Sequence, residues 1–117
     1  MVKYETELDA VFTALAHPAR RAMLAQLGKA EATVGELAQP LGISLPGVTK
    51  HLKVLERANL ISRSKDAQWR RCRLQEAPLN LASDWIDEQR KAWESRLDRL
   101  EGYLHTLEKA KRKTHAR

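Results

Sequence analysis

The sequence predicts a mainly α-helical fold with one small β-hairpin, ordered as four helices, the hairpin and a long last helix. Apolar residues recur at helical spacing in most segments, and Gly, Pro and capping residues separate these segments. Two short runs, residues 61–65 and 69–75, flank a turn segment, which is typical of a hairpin. Gly102 is the only helix breaker after residue 79, so one helix is expected over 79–112. The length suits one domain, residues 1–117.

The first two helices are predicted from apolar stripes and the breaks between them. A stripe at helical spacing places the first helix at residues 4–16. Pro18 fits the first position of the second helix, because an N–H there would have no helical partner. His17 is expected to cap this helix rather than bind a ligand, and Gly28 is expected to end it. Residues 29–32 are then expected to form a short link.

Residues 33–58 are predicted to form a helix-turn-helix. Thr33 and Glu36 have the spacing of a capping box, in which each side chain accepts a hydrogen bond from the other residue's backbone. The short helix that they begin is expected to end near residue 41. Ser44 is expected to cap the next helix, which continues to about residue 58. In this motif the second helix enters the DNA major groove, and the hairpin at 61–75 has the position of a wing.

A helical wheel of the fourth helix separates an apolar side from a basic side. The apolar side, which is expected to be buried, carries Leu45, Val48, Leu52 and Leu55. The other side carries Pro46, Lys50, Lys53 and Arg57, flanked by Gly47 and Thr49. One face of the helix is therefore expected to pack on the core, and the other to meet an anionic partner.

The net charge of +6 is concentrated in one segment of the chain. Residues 50–73 hold eight Lys and Arg against two acids, whereas the rest of the chain holds 13 bases and 13 acids. A surface that contacts phosphates needs such a concentration, so double-stranded DNA is the expected partner. Small residues at the start of the fourth helix can approach base edges, and longer basic residues can reach phosphates. The predicted DNA contacts are Ser44, Pro46, Gly47, Thr49, Lys50, Lys53, Arg57, Arg63, Lys65, Gln68 and Arg70.

The last predicted helix, about 50 Å long, is too long to pack fully on so small a domain. Its apolar residues repeat at sevens and then at alternating fours and threes, which is typical of a coiled-coil seam. A second copy of the chain is expected to cover that seam, so a homodimer through the helices at 4–16 and 79–112 is predicted. The predicted interface residues are Leu8, Phe12, Ile86, Trp93, Leu97, Leu100 and Leu104.

Four segments together resemble the ArsR-type (arsenic-repressor-like) winged helix-turn-helix regulators, and the resemblance covers nearly the whole chain. The segments are Ala14–Leu24, Gly35–Ala38, Ser44–Leu55 and Trp69–Leu74. The resemblance implies a dimer through the first and last helices and operator binding by the fourth helix and the wing. It also implies repression that some signal relieves. A two-fold dimer of this kind reads an inverted repeat, because its two recognition helices lie about one DNA turn apart.

The chain departs from the metal-sensing members of that family. Soft-metal sensors share a Cys-x-Cys motif on the third helix, but residues 34–38 contain no cysteine here. Zinc sensors share a last-helix pattern whose second half matches His105 and Glu108, whereas Ala92 and Glu94 stand where its first half would be. Zinc needs a fuller ligand set. No metal and no cofactor is therefore expected, and the chain is placed in the metal-independent branch.

Three further features leave an alternative open. Cys72, the only cysteine, lies among arginines and could act as a redox switch, but its strand phase with Leu74 favours an inert core position. His51 is expected to be packed and hydrogen-bonded rather than in contact with a base. Trp85 and Trp93 are expected to pack at the dimer surface or on the first helix, with a pocket for a small apolar effector as the alternative.

The expected function is sequence-specific DNA binding and transcriptional repression as a homodimer. The alternative from another class is a winged-helix interaction module whose basic strip binds an acidic protein partner, in which case duplex DNA would not bind. An enzyme is not expected, because no paired carboxylates, nucleophile–base set or phosphate loop is present. Neither a signal peptide nor an apolar run of about 18 residues is found, so a cytoplasmic protein without membrane contact is expected.

Overall fold

The computed structural model of the chain describes residues 3–64 and 71–115, with the side chains of 5–64 and 71–112. In these ranges the elements are α1 (Lys3–Leu15), α2 (Pro18–Leu27), β1 (Ala32–Thr33), α3 (Val34–Leu41), α4 (Leu45–Arg57), β2 (Ile61–Arg63), β3 (Arg71–Leu74) and α5 (Ala77–His115). The predicted fold class, mainly helical with a small sheet, is therefore confirmed. The chain divides into two units, Met1–Ala82 and Ser83–Arg117. No helix within the described ranges is both long and apolar enough to cross a membrane.

The ends of α1 and α2 lie within one residue of the predicted positions. His17 caps α2 as predicted, since its Nδ1 accepts a hydrogen bond from the Ala19 N–H at 3.1 Å. Pro18 takes the first helical position. Gly28 follows the last, and its N–H donates to the Leu24 carbonyl at 2.9 Å. These helix ends depend on neighbouring residues in the chain, which is why the sequence alone predicts them.

Both predicted caps of the helix-turn-helix are formed. Thr33 Oγ1 accepts from the Glu36 N–H at 3.2 Å, and Glu36 Oε1 accepts from the Thr33 N–H at 3.1 Å. The hydrogen bond from the Thr33 backbone, followed by that with its side chain, holds the pKa of the Glu36 carboxyl below its ordinary value. Gly42 ends α3 with φ of 62°, a conformation that a residue without Cβ adopts without strain. Ser44 Oγ then accepts from the Gly47 N–H at 3.2 Å at the start of α4.

The sheet has three antiparallel strands in the order β1-β3-β2. Ala32 pairs with Cys72 on one side of β3, and Arg63 pairs with Cys72 on the other. The predicted hairpin is confirmed over Ile61–Arg63 and Arg71–Leu74, with Ser64 and Gln75 outside the strands, and its predicted contacts Lys65, Gln68 and Arg70 lie outside the described residues. The prediction of a mere link at residues 29–32 is wrong at its end, because Ala32 joins β1. Two residues are too few to show strand alternation, and they become a strand only through pairing with β3.

The core of the first unit lies between α2, α3, α4 and the sheet. Its buried residues are Ala14, Met23, Leu24, Leu27, Ala32, Leu37, Ala38, Val48, Leu52, Leu55, Ala58, Leu60, Ile61 and Cys72. A second small cluster joins Leu8, Val11 and Ala82. The prediction that Leu45 is buried with the other leucines of α4 is wrong, since Leu45 is 56% exposed. Leu45 is the first residue of α4, and its side chain points back toward the helix start, ahead of the turns that pack on the core.

Cys72 is fully buried, on the same side of β3 as the half-buried Leu74, as its strand phase predicts. Arg71 and Arg73, which alternate with these two residues, are exposed. Burial raises the pKa of the Cys72 thiol, so the thiol form is favoured over the reactive thiolate. The position is that of a small apolar core residue.

Helix α5 continues without a break to His115, and its part in the second unit exposes large apolar side chains. They recur at spacings of seven, four and three residues, as in the predicted seam. The exposed residues are Ile86, Trp93, Leu97, Leu100, Leu104 and Leu107.

Candidate nucleic-acid interface

Helix α4 divides into a fully buried face and an exposed basic face. Val48 and Leu52 have no exposed surface. Lys50, Lys53 and Arg57, at intervals of three and four residues, are all exposed. These three residues form what we call the basic face of α4. Because the opposite face is held by the core, the basic face points outward without any rearrangement of the domain.

The residues at the start of α4 are small, and their backbone is held by a cap. Ser44 and Pro46 are exposed, whereas Gly47 and Thr49 are half-buried. A Cβ atom at Gly47 would lie 3.3 Å from Ser44 Oγ, closer than ordinary van der Waals contact. Glycine therefore suits the cap, and the absence of longer side chains leaves this end of α4 open to close approach.

Arg63, a predicted DNA contact, lies on the core-facing side of the sheet. It pairs with Cys72 across the strands, and its Nε lies 2.6 Å from Glu56 Oε1 on α4. Its side chain is only 21% exposed. The guanidinium is thus engaged in an ion pair within the protein, which joins the root of the wing to the end of α4. Its contact with DNA stays a prediction.

The outer face of the sheet carries two more arginines. Arg73 Nε donates to Glu31 Oε1 at 2.8 Å, so an acid offsets its charge. Arg71 is exposed two residues before it, at the start of β3. Arg71 belongs to the basic segment at residues 50–73 but is not among the DNA contacts predicted from the sequence. Arg71 and Arg73 are two residues apart on one strand and so lie on the same face, which the sequence could have indicated. Arg71 is therefore a further candidate for contact with phosphate.

Arg20 joins α1, α2 and α4. Its Nε donates to the Ala14 carbonyl at 2.7 Å and its Nη2 to the Thr13 carbonyl at 2.9 Å, both in the last turn of α1. Its Nη1 lies 3.2 Å from Nδ1 of His51 on α4. The His51 ring also packs against the His17 ring, with 4.4 Å between their centroids. We call Arg20, His17 and His51 the α4 junction.

The partners of His51 determine its protonation. A guanidinium can only donate, so Nδ1 of His51 must accept, and the proton of the neutral ring lies on Nε2. Burial lowers the pKa of His51, and the nearby His17 and Arg20 lower it further. The prediction of a packed, hydrogen-bonded histidine is confirmed. The contacts of Arg20 could not be predicted from the sequence, because they depend on how α1, α2 and α4 meet in the folded protein.

No group of three or more His, Cys, Asp and Glu side chains within 5–64 and 71–112 is arranged to hold a metal ion. His105 and Glu108 are both exposed on α5.

Known proteins resemble the chain in sequence and in fold. A helix-turn-helix domain model matches residues 15–63. The transcriptional repressor SdpR of Bacillus subtilis is 30% identical over 79 residues, which cover 68% of this chain and 88% of SdpR. An HTH-type transcriptional regulator of Mycobacterium tuberculosis is 45% identical over 53 residues, or 45% of this chain. The matched part spans only half of that mycobacterial protein.

The fold agrees with this result. A crystal structure described as an ArsR family transcriptional regulator superposes with a TM-score of 0.75 at 39% sequence identity. The match covers 81% of this chain and 98% of that structure. The matched helix-turn-helix contains α4 with its basic face, and the superposed regulator shares the fold over nearly its whole length. The chain belongs to the ArsR family of winged helix-turn-helix, DNA-binding transcriptional regulators.

Proposed function

We propose that the chain is a transcriptional repressor that binds an inverted-repeat operator as a homodimer in the cytoplasm. The observation that carries this proposal is the basic face of α4, whose three cations are exposed opposite a fully buried face. SdpR, which is named a repressor, supports the direction of regulation. The proposed activity is binding and not catalysis.

The α4 helix acts as the recognition helix in this proposal. Ser44, Pro46, Gly47 and Thr49 approach the base edges, since no long side chain holds that end of α4 away from the groove. Lys50, Lys53 and Arg57 bind phosphates beside it, and so supply affinity and register rather than base discrimination. Lys65, Gln68, Arg70 and the newly identified Arg71 extend these contacts along the wing. Arg63 contributes by holding the wing against α4 through Glu56.

The homodimer is proposed on the apolar seam of α5. Trp93 and Leu97 are each more than 60% exposed, a large apolar surface for a helix in water. A second copy covers such a seam by knobs-into-holes packing. From α1, the half-buried Phe12 is part of the proposed interface, and Leu8, which is buried within its own chain, lies in the cluster against which Phe12 packs. Two-fold pairing presents two α4 helices and so requires two half-sites.

Recovery of bound genomic fragments by the purified protein, followed by sequencing, tests the proposal. We expect enrichment of a short inverted repeat, and weaker, salt-sensitive binding to random duplex DNA. The test variant replaces Lys50, Lys53 and Arg57 with alanine. The control replaces three exposed bases of α5, Lys91, Arg99 and Lys109, with alanine, and removes the same charge.

The two triple variants separate a binding surface from a general charge effect. We expect the α4 variant to lose at least about 100-fold in affinity for the recovered fragment, since each cation makes its own phosphate contact. The α5 variant should stay within about threefold, because its bases lie outside the contact surface. Equal losses in the two variants would contradict the proposed surface. A wild-type protein that ignores duplex DNA in dilute buffer would contradict the function.

A further inference from the structure

We propose that Arg20 and His51 are positioning residues, which hold the recognition helix α4 at a fixed place against the end of α1 and thereby determine operator selectivity. This inference rests on the proposed function. It concerns residues that need not touch DNA, and it assigns them a role through the orientation of α4.

The three donor nitrogens of Arg20 serve two different helices at once. Two of them bind the carbonyls of Thr13 and Ala14, which belong to the last turn of α1. Such carbonyls have no partner within their own helix, and a cation beside them is favourable. The third nitrogen reaches His51 on α4. Because the guanidinium is planar and rigid, α4 cannot shift relative to α1 without breaking one of these contacts.

The His51 imidazole also contacts a second residue. His17 packs on the His51 ring, and His17 is fixed because its Nδ1 caps α2 at Ala19. His51 therefore contacts both a ring and a guanidinium, and each of these is anchored where α1 meets α2. These contacts restrain both the position of α4 along its axis and its rotation about that axis at His51.

The place of His51 on α4 links this restraint to DNA contact. His51 is half-buried, directly after the exposed Lys50 and directly before the fully buried Leu52. Any movement of the helix at His51 therefore moves the basic face by a similar amount. Hydrogen bonds to base edges require closely defined geometry, whereas phosphate contacts are electrostatic and fall off slowly with distance. Loosening the junction should thus reduce selective binding more than it reduces binding to random DNA.

Arg21 provides a matched control. It follows Arg20 directly, carries the same charge, and also binds the end of α1, since its Nη1 donates to the Leu15 carbonyl at 2.7 Å. Arg21 is exposed, and its side chain hydrogen-bonds the end of α1, whereas its backbone N–H donates to the His17 carbonyl within α2's first turn. Arg21→Gln therefore removes one charge and one cap of α1, and leaves the contact with His51 in place.

The experiment measures affinity for two probes, the genomic inverted repeat selected by the wild type and a random duplex of equal length. We expect His51→Ala and Arg20→Gln each to lower affinity for the selected fragment by about tenfold, and for the random duplex by less than about threefold. His51→Asn places an amide oxygen near the position of Nδ1 and should retain most of the selectivity. Arg21→Gln should behave as the wild type.

A double-mutant cycle tests whether the two residues act through one contact. The Arg20→Gln/His51→Ala double variant should lose no more selectivity than either single variant, because each one alone already removes the shared contact. Cooperative thermal unfolding of every variant shows that the fold is intact. If Arg20→Gln fails to fold, the comparison of His51→Ala, His51→Asn and Arg21→Gln still decides the question.

Several results would overturn the inference. They are unchanged selectivity in His51→Ala, equal losses on both probes, additive losses in the double variant, and a loss in His51→Ala that Arg20→Gln does not share. The last result would mean that His51 touches DNA directly. A wild type that selects no fragment would overturn the proposed function and this inference with it, whereas a selective wild type with unaffected variants would overturn the inference alone.

Discussion

Glu56 in the last turn of α4 and Arg63 at the end of β2 form an ion pair, with 2.6 Å between Oε1 and Nε. The pair joins the recognition helix to the root of the wing, the two elements that contact DNA in the proposed function. Both side chains are partly shielded, at 40% and 21% exposure. The Arg63 guanidinium faces the core side of the sheet, where an unpaired charge is costly.

Removal of the Glu56 charge should therefore destabilise the protein. We expect Glu56→Gln to lower the free energy of unfolding by about 1 kcal/mol, less than for a fully buried pair because water still reaches Glu56. Urea unfolding measures this change in free energy, provided that the m-value of the variant equals that of the wild type. Glu31→Gln is the matched control, since Arg73 in that pair is 67% exposed, and its effect should be smaller. Equal effects in the two variants would contradict a shielded Arg63.

Two leucines of α4 should respond very differently to truncation. Leu52 has no exposed surface and lies in the core, so Leu52→Ala should cost about 2–5 kcal/mol through lost burial and the cavity left behind. Leu45 is 56% exposed, so Leu45→Ala should change the free energy of unfolding by less than about 0.5 kcal/mol. Denaturant midpoints of the two variants measure both values. If Leu45→Ala lowered the free energy of unfolding as much as Leu52→Ala, Leu45 would be buried, as the helical wheel predicts.

Stability should fall in mild acid because of His51. Burial, and then the charges of His17 and Arg20, lower the pKa of His51 in the folded protein. The unfolded chain therefore binds this proton more readily, so the free energy of unfolding should be highest above about pH 7 and decrease as the pH falls through the ordinary imidazole value of about 6.5. Urea midpoints at about pH 7.5 and 5.5 measure the decrease. His51→Asn should show a smaller decrease in stability between these two pH values. An equal decrease in that variant would mean that a group other than His51 causes the pH dependence.

The seam of α5 should determine the association state. Leu100→Glu places a carboxylate in the middle of the apolar stripe, where pairing would remove it from water. We therefore expect the dissociation constant of the dimer to rise by at least about 100-fold. Ser95→Glu adds the same charge on the polar side of α5 and should leave the dimer intact. Sedimentation velocity over a concentration series measures both. A Leu100→Glu variant that remains as dimeric as the wild type would contradict the proposed interface.

Helix ends and caps were predictable, whereas features formed between distant segments were not. Thr33 with Glu36 and His17 with Pro18 act over a few residues, so their spacing alone predicts the ends of helices. The orientation of Arg63 needs the strand register and α4 together, and the contact of Arg20 with His51 joins residues 31 positions apart. Periodicity also assigned Leu45 to the buried face, because a helical wheel takes no account of where along α4 the core ends. The basic face was predictable, since it combines helical phase with a local excess of charge.

The salt dependence of binding to the selected fragment tests the basic face of α4 most directly. Each phosphate contact contributes about 0.9 to the slope of log affinity against log salt concentration. A dimer of the Lys50→Ala, Lys53→Ala, Arg57→Ala variant lacks six such contacts, so its slope should be shallower than the wild-type slope by about 5. The Lys91, Arg99, Lys109 alanine control should keep the wild-type slope. Equal slopes for the wild type and the α4 variant would show that this face does not contact the phosphates.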